Sequence, residues 1–185
     1  MMRAFNNPFR MTRLTAWDRL GYEWVQGVRS SHVFLASVSR WLSRIGDGYI
    51  YALIGIVVAL SDQESGRLFL TVGLIAYLLE LPVYWGLKNA IRRPRPFHAS
   101  KVPSVILPSD QFSLPSGHSA AAFVFATTVA QFYPEYGIFA YFLAASIGAS
   151  RVVLGVHYPT YIVAGAALGI LSAEIAWRVV VLGVM

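Results

Sequence analysis

LFLTVGLIAYLLELPVYWGL, residues 68–87, is a run of twenty residues holding one charge, Glu80, and one proline, Pro82. As a helix rising about 1.5 Å per residue it is roughly 30 Å long, the thickness of bilayer hydrocarbon. Similar runs follow at 119–132, 138–156 and 161–184, and a shorter uncharged one precedes it at 48–61. The composition agrees: 56% of residues are apolar and 13% charged, where a soluble domain has about 25% charged. So low a charge content means that much of the surface faces something other than water. The expected fold is all-α, a polytopic transmembrane helical bundle of five spans, or six if an N-terminal helix also crosses.

The connections between runs support antiparallel neighbours. Residues 62–66 and 133–137 are short and polar or proline-containing, as tight turns require. Residues 92–116 form a longer link with prolines at 94, 96, 103, 108 and 115. A long stiffened loop between two spans is the usual place for function. Before residue 46 the pattern changes. Trp17, Leu20, Trp24 and Val28 recur three or four apart with Asp18, Arg19 and Glu23 between them, and 32–45 repeats the theme with Arg40 and Arg44. Such amphipathic helices lie at the membrane interface. One domain is therefore expected over 1–185, with interfacial helices in 1–45 and a transmembrane core in 46–185 carrying the loop 92–116. No signal peptide is evident in residues 1–30, which lack a sufficiently long apolar core.

The charge that remains is unevenly placed. The net charge is +6, and five of the fifteen Lys and Arg lie between Lys88 and Lys101. With no cysteine in the chain, thiol chemistry and cysteine-ligated metals are excluded. Running the spans back and forth brings three groups to one membrane face: Lys88 with Arg95, the Pro115-Ser116-Gly117-His118 segment, and Ser150-Arg151 with His157. Ionisable groups at membrane depth are costly and imply function. Clustered cations repel unless an anion lies between them. Lys88, Arg95 and Arg151 suit a phosphate, and the N–H groups of Ser116 and Gly117 at a helix start suit the same anion. Two histidines then supply a nucleophile and a proton donor. No metal or cofactor is called for, because the three cations supply the positive charge that phosphoryl transfer needs.

These motifs carry a resemblance. Lys88-x6-Arg95-Pro96, Pro115-Ser116-Gly117-His118 and Ser150-Arg151-x5-His157 resemble, in order and spacing, the three signatures of the type 2 phosphatidic acid phosphatases, the lipid phosphate phosphatase superfamily, over residues 46–169. The resemblance implies that Lys88, Arg95, Ser116, Gly117 and Arg151 bind phosphate. It implies that His118 is the general acid and that His157 is the nucleophile that becomes phosphohistidine. Where the family has an aspartate four residues after the nucleophile, this chain has Tyr161, which can orient an imidazole but not stabilise its cation as a carboxylate does. Asp110 is the nearest conceivable substitute.

The implied activity is metal-independent hydrolysis of a lipid phosphomonoester or diphosphate, of the phosphatidic acid, phosphatidylglycerol phosphate or undecaprenyl diphosphate class. The alternative is a relative impaired by Tyr161 that binds or organises phosphorylated lipid. The partners are lipid and bilayer, with no nucleic acid. The resemblance to bacterial members places the site on the extracytoplasmic side of the inner membrane. Arg92, Arg93 and Lys101 read as a juxtamembrane basic patch. Glu80 and Glu174 read as groups packed inside the bundle with Tyr or Trp partners. Gly165 and Gly169 read as a close helix contact.

Overall fold

In the computed structural model, residues 13–100, 102–108, 110–181 and 183 are described. The expected interfacial segment 1–12 and Lys101 lie outside the described residues. Among the described residues seven α-helices follow one another: α1 (Arg13–Ser31), α2 (Val33–Ile45), α3 (Tyr49–Ser61), α4 (Gly66–Ile91), α5 (Gly117–Phe132), α6 (Pro134–Val153) and α7 (Pro159–Val180). A single 3-10 turn, Pro96–His98, interrupts the long loop. The all-α expectation holds.

Three stretches are long and apolar enough to cross a bilayer: Gly66–His98, Pro134–Val153 and Pro159–Val180. A fourth arises if α2 and α3, bent by 49° at their junction, act as one broken span. By length and composition the described residues thus supply three or four spans, against the five or six expected. The difference lies in α3, with 13 residues, and α5, with 16, both short of the roughly 20 that a spanning helix needs.

α5 is the inner helix of the bundle. It packs against α4, α6 and α7, and its Ala120, Ala122, Val124, Ala126, Thr127 and Thr128 are buried. Lipid tails are as apolar as leucine, so helices in a membrane associate through close packing of small residues. At Gly165 an added Cβ would lie 2.4 Å from the Ser116 carbonyl oxygen, and at Gly169 it would lie 2.3 Å from that of Ala120. The glycine pair read from the sequence thus lets the α7 backbone rest on that of α5. Outward, α3, α4, α6 and α7 show Leu60, Leu78, Phe142 and Leu171, each at least 60% exposed.

α1 is turned the opposite way from a helix of a soluble domain. Asp18, Tyr22 and Gln26, spaced by four, are its buried residues, whereas Trp17 and Trp24 are each 72% exposed. The polar stripe ties together the ends of α6 and α7. Asp18 accepts from the Thr160 N–H at 3.0 Å and from the Thr160 hydroxyl, so it satisfies an unpaired donor in the first turn of α7. Gln26 donates to the Val152 carbonyl at 2.8 Å. At the other end, Asp62 closes the α3–α4 turn by accepting from the N–H groups of Glu64 and Ser65, and it accepts from the Tyr133 hydroxyl at 2.7 Å.

Gly169→Val forces two backbones apart and is expected to lower stability by about 1–3 kcal/mol, the usual cost of overpacking. Gly86→Ala, where an added Cβ meets nothing within 4 Å, is expected to be neutral or slightly stabilising. Thermal unfolding of both variants in one detergent checks the pair; equal melting temperatures would remove the case for backbone contact.

Candidate active site

The chain reverses direction at each turn, so α4 and α6 end where α3, α5 and α7 begin. Lys88 sits in the last turn of α4 and Arg151 in the last turn of α6. His118 is the second residue of α5. Arg95 lies just before the 3-10 turn, and His157 lies between α6 and α7. All five line one cavity of about 440 Å³, a size typical of small-ligand sites. Lys88, Arg95, Arg151 and His157 are all buried.

Each cation is held from behind. Arg95 donates through Nη1 to the Val156 carbonyl at 2.9 Å and through Nε to the Asp110 carbonyl at 3.0 Å. The Arg151 Nη1 donates to the Ser43 hydroxyl, on α2. Lys88 donates to the Tyr84 hydroxyl, with its ammonium 4.4 Å from the centre of that ring. Gly117 is required here for space: a Cβ would stand 2.9 Å from the Tyr84 ring.

The anion that the cation cluster demands comes from the protein itself. The Asp110 carboxylate pairs with Lys88 through one oxygen and with Arg95 through the other, and it accepts from the Tyr84 hydroxyl at 2.8 Å. Burial alone would raise this carboxyl, but the Lys88 hydrogen bond and the charges of Lys88 and Arg95 outweigh it and hold it below the ordinary carboxylate range. Asp110 therefore does not substitute as the partner of His157, the role considered for it from sequence; it sits between Lys88 and Arg95.

The two histidines are in opposite situations. His118 Nε2 stands 2.9 Å from Asp47 Oδ1, a contact that orients this ring. Among the described residues, both ring nitrogens of His157 are buried without a hydrogen-bond partner. Burial, with the charges of Arg151, Arg95 and Lys88, pushes His157 well below its usual value. The ring is neutral at pH 7 and keeps the lone pair that a nucleophile needs.

Two expectations need correction. The N–H of Ser116 is already donated to the Tyr161 carbonyl at 3.1 Å, and its hydroxyl caps α5 by accepting from the Ser119 N–H. Ser116 is fully buried and does not line the cavity, so it shapes the helix start, and Gly117 and His118 are the cavity-lining residues there. Nor does the Tyr161 hydroxyl meet the His157 ring. It accepts from Arg93 Nη1 at 3.4 Å, because α7 begins only at Pro159 and its i, i+4 register does not extend back to residue 157. The sequence reading also missed Asp47. Its signal was slight: one acid between Gly46 and Gly48 at the start of an apolar run. Gly46 is itself constrained, since a Cβ would fall 2.7 Å from Ile147 and 3.2 Å from the His118 ring.

Comparison with known proteins bears on this geometry. The pattern of the PAP2 superfamily matches residues 66–183. The chain belongs to the PAP2 superfamily. It is 32% identical over 146 residues to the decaprenylphosphoryl-5-phosphoribose phosphatase of Mycolicibacterium smegmatis, covering 76% of this chain and 77% of that protein. It is 36% identical over 104 residues to the lipid A 1-phosphatase of Rhizobium etli, covering 51% of this chain and 45% of that one. The crystal structure of Aquifex aeolicus LpxE superposes with a TM-score of 0.76 at 25% identity, covering 85% of this chain and 92% of that one. This PAP2 chain is accordingly an integral membrane protein, and its named PAP2 relatives are lipid phosphatases.

In this PAP2 site the two acids are expected to act in opposite senses. Asp47→Ala removes the carboxylate at His118 and should lower phosphate release from a lipid about 10- to 100-fold, within the usual worth of an acid–base group. Asp110→Ala removes the internal anion and should lower the inhibition constant of inorganic phosphate about 3- to 10-fold. Steady-state kinetics with added phosphate measure both. Weaker inhibition by phosphate in the Asp110 variant would show that Asp110 builds the cradle instead of competing for it.

Proposed function

We propose that the chain is a membrane lipid phosphatase that hydrolyses a phosphomonoester or diphosphate of a lipid through a phosphohistidine intermediate, without a metal ion. The observation that carries this reading is a neutral, buried His157 beside three buried cations, with a second histidine paired to a carboxylate, on one cavity. The His157 lone pair attacks phosphorus and forms the N–P bond. As the P–O bond to the lipid breaks, His118 gives its proton to the departing oxygen, and the lipid leaves as an alcohol, or as a lipid phosphate from a diphosphate. His118, now neutral, then takes a proton from water as the water oxygen attacks phosphorus and the N–P bond breaks, releasing phosphate. Lys88, Arg95 and Arg151 neutralise the phosphoryl oxygens throughout. The grouping of these three cations supports metal independence.

The membrane placement is part of the same proposal. α3 and α5 complete the bundle as short spans beside the three long ones, and α1 lies at the interface with Trp17 and Trp24 toward lipid. We place the site on the extracytoplasmic side of a bacterial inner membrane. Leu107, 93% exposed in the loop over the site, is a reporter position in a chain without cysteines. Leu107→Cys in intact cells should react with a membrane-impermeant maleimide; labelling only after lysis would reverse the orientation.

A second reading has its own support. Among the described residues His157 has no orienting partner, and Tyr161 stands where the family carries an acid, so a lipid-phosphate-binding protein of low or no turnover is the alternative. Purified wild type, His157→Ala, Tyr161→Phe and Tyr161→Asp, each in the presence of EDTA, separate the two. His157→Ala is expected to abolish phosphate release from phosphatidic acid, phosphatidylglycerol phosphate and undecaprenyl diphosphate alike. Tyr161→Phe loses only the Arg93 contact and should stay within about threefold of wild type, since a long hydrogen bond contributes little. Tyr161→Asp, whose carboxylate stands out of register with the His157 ring, should likewise stay within about threefold of wild type. Binding without release in the wild type and all variants would establish the alternative.

A further inference from the structure

The cavity does not end at the phosphate cradle. It continues along α3, α4 and α5 toward the bilayer interior, past Tyr84, Tyr77, Glu80 and Tyr51. Most of this inner part is apolar, with Phe69 and Phe125 on its walls, as a lipid tail would need. Two groups do not fit a pure hydrocarbon channel. Glu80 is 2% exposed, lines the cavity and has no hydrogen-bond or ion-pair partner among the described residues. Tyr51 lines the same cavity, and its buried hydroxyl also lacks a partner among the described residues. Two other polar side chains near the bundle interior do find partners: Tyr77 donates to the Ala121 carbonyl at 2.9 Å, and Glu174 accepts from Gln131 at 3.2 Å, although Gln131 Oε1 is itself without a partner among the described residues. An unpaired polar group in hydrocarbon costs several kcal/mol. Two of them on one cavity wall point to a ligand that brings the missing hydrogen bonds.

The spacing says which part of a ligand this is. Glu80 lies two turns before Lys88 on α4, and the Lys88 ammonium reaches back one turn to the Tyr84 hydroxyl. The carboxyl group is thus between one and two turns below the phosphate position, about 6–12 Å at 1.5 Å per residue. A sugar ring or a glyceryl diester falls in that interval. A polyprenyl chain presents only hydrocarbon there, and a diphosphate would point its second anionic phosphate toward the carboxyl group.

Building on the phosphatase reading above, we propose that Glu80 and the Tyr51 hydroxyl form a polar subsite. It recognises oxygen-bearing groups between phosphate and tail, so the preferred substrate carries its phosphate on a sugar or glyceryl unit and not directly on a hydrocarbon chain. An ionised carboxylate accepts from sugar hydroxyls, a protonated one donates to ester carbonyls, and the Tyr51 phenol does either.

The test uses the full-length purified protein and three non-hydrolysable phosphonates: one on a diacylglycerol, one on the sugar of an alkyl glycoside, one on a polyprenyl chain. Binding is measured directly, so the result does not depend on turnover. Wild type should bind one or both of the first two more tightly than the third, and the tighter of them names the unit read. Glu80→Leu should weaken that ligand about tenfold, the usual worth of a buried hydrogen bond to a charged group or its loss, while leaving the polyprenyl phosphonate unchanged or better bound. Glu80→Gln, which keeps donor and acceptor capacity, should lose less, and Tyr51→Phe should shift the ratio in the same direction as Glu80→Leu. An equal loss for all three ligands, no loss for any, or a wild-type preference for the polyprenyl phosphonate would overturn the subsite. Phosphate release from the matching phosphate esters is followed in parallel. Selective binding with no release would overturn the phosphatase reading and keep the subsite.

Discussion

Positive charge gathered at the ends of transmembrane helices must be neutralised, and this requirement organises the site. Lys88, Arg95 and Arg151 are buried within one cavity, where water screens their repulsion poorly. Asp110 answers two of them. Among the described residues Arg151 is left with the Ser43 hydroxyl and a buried Nε without a partner. One carboxylate set between two of the three cations leaves this cluster with an excess of positive charge. In the proposed reaction the substrate phosphate and the Asp110 carboxylate compete for the same cations.

Rigidity behind the cations comes from the bundle. Gly165 and Gly169 bring the α7 backbone onto α5, which fixes His118 relative to the start of α7. From outside, α1 holds that start with Asp18 and the end of α6 with Gln26. α2 supplies the Ser43 contact to Arg151. The N-terminal helices are thus structural parts of the site as well as surface elements. Their polar stripes, which look ill-suited to a membrane protein, face inward to the helix ends that carry the chemistry.

How much of this was legible from sequence follows from the range of each interaction. The helices are read from local runs of hydrophobicity, and the cationic motifs from short fixed spacings, so both could be located without a structure. α3 and α5 were harder, because a run of 13 or 16 residues is equally a short span or a buried core helix. Asp47 and His118 are 71 residues apart, and no pattern along the chain joins them. The fate of Tyr161 depended on where α7 begins. A helix reaching back to residue 157 would place it beside the imidazole, and a start at Pro159 instead gives its hydroxyl to Arg93. Asp110 was noticed as an acid near the site but assigned the wrong partner, since sequence shows that an acid is near cations without saying which of them it meets.

The bare His157 ring and the bare Glu80 carboxyl are opposite cases of one rule. Burying a polar group without a partner is costly, and where a fold tolerates it the missing partner is supplied by what binds. In the proposed reaction the partner of His157 is an electrophilic phosphorus, and the absence of a hydrogen bond leaves its lone pair available. In the proposed subsite the partner of Glu80 is a hydrogen-bonding part of the same molecule, further along the cavity. The two proposals together fix two points on a ligand: a phosphoryl group among the cations and an oxygen-rich unit one to two helical turns deeper. Only the cradle is marked by a sequence motif. Glu80 lies within the apolar run 68–87, where its isolation first suggested nothing more than packing.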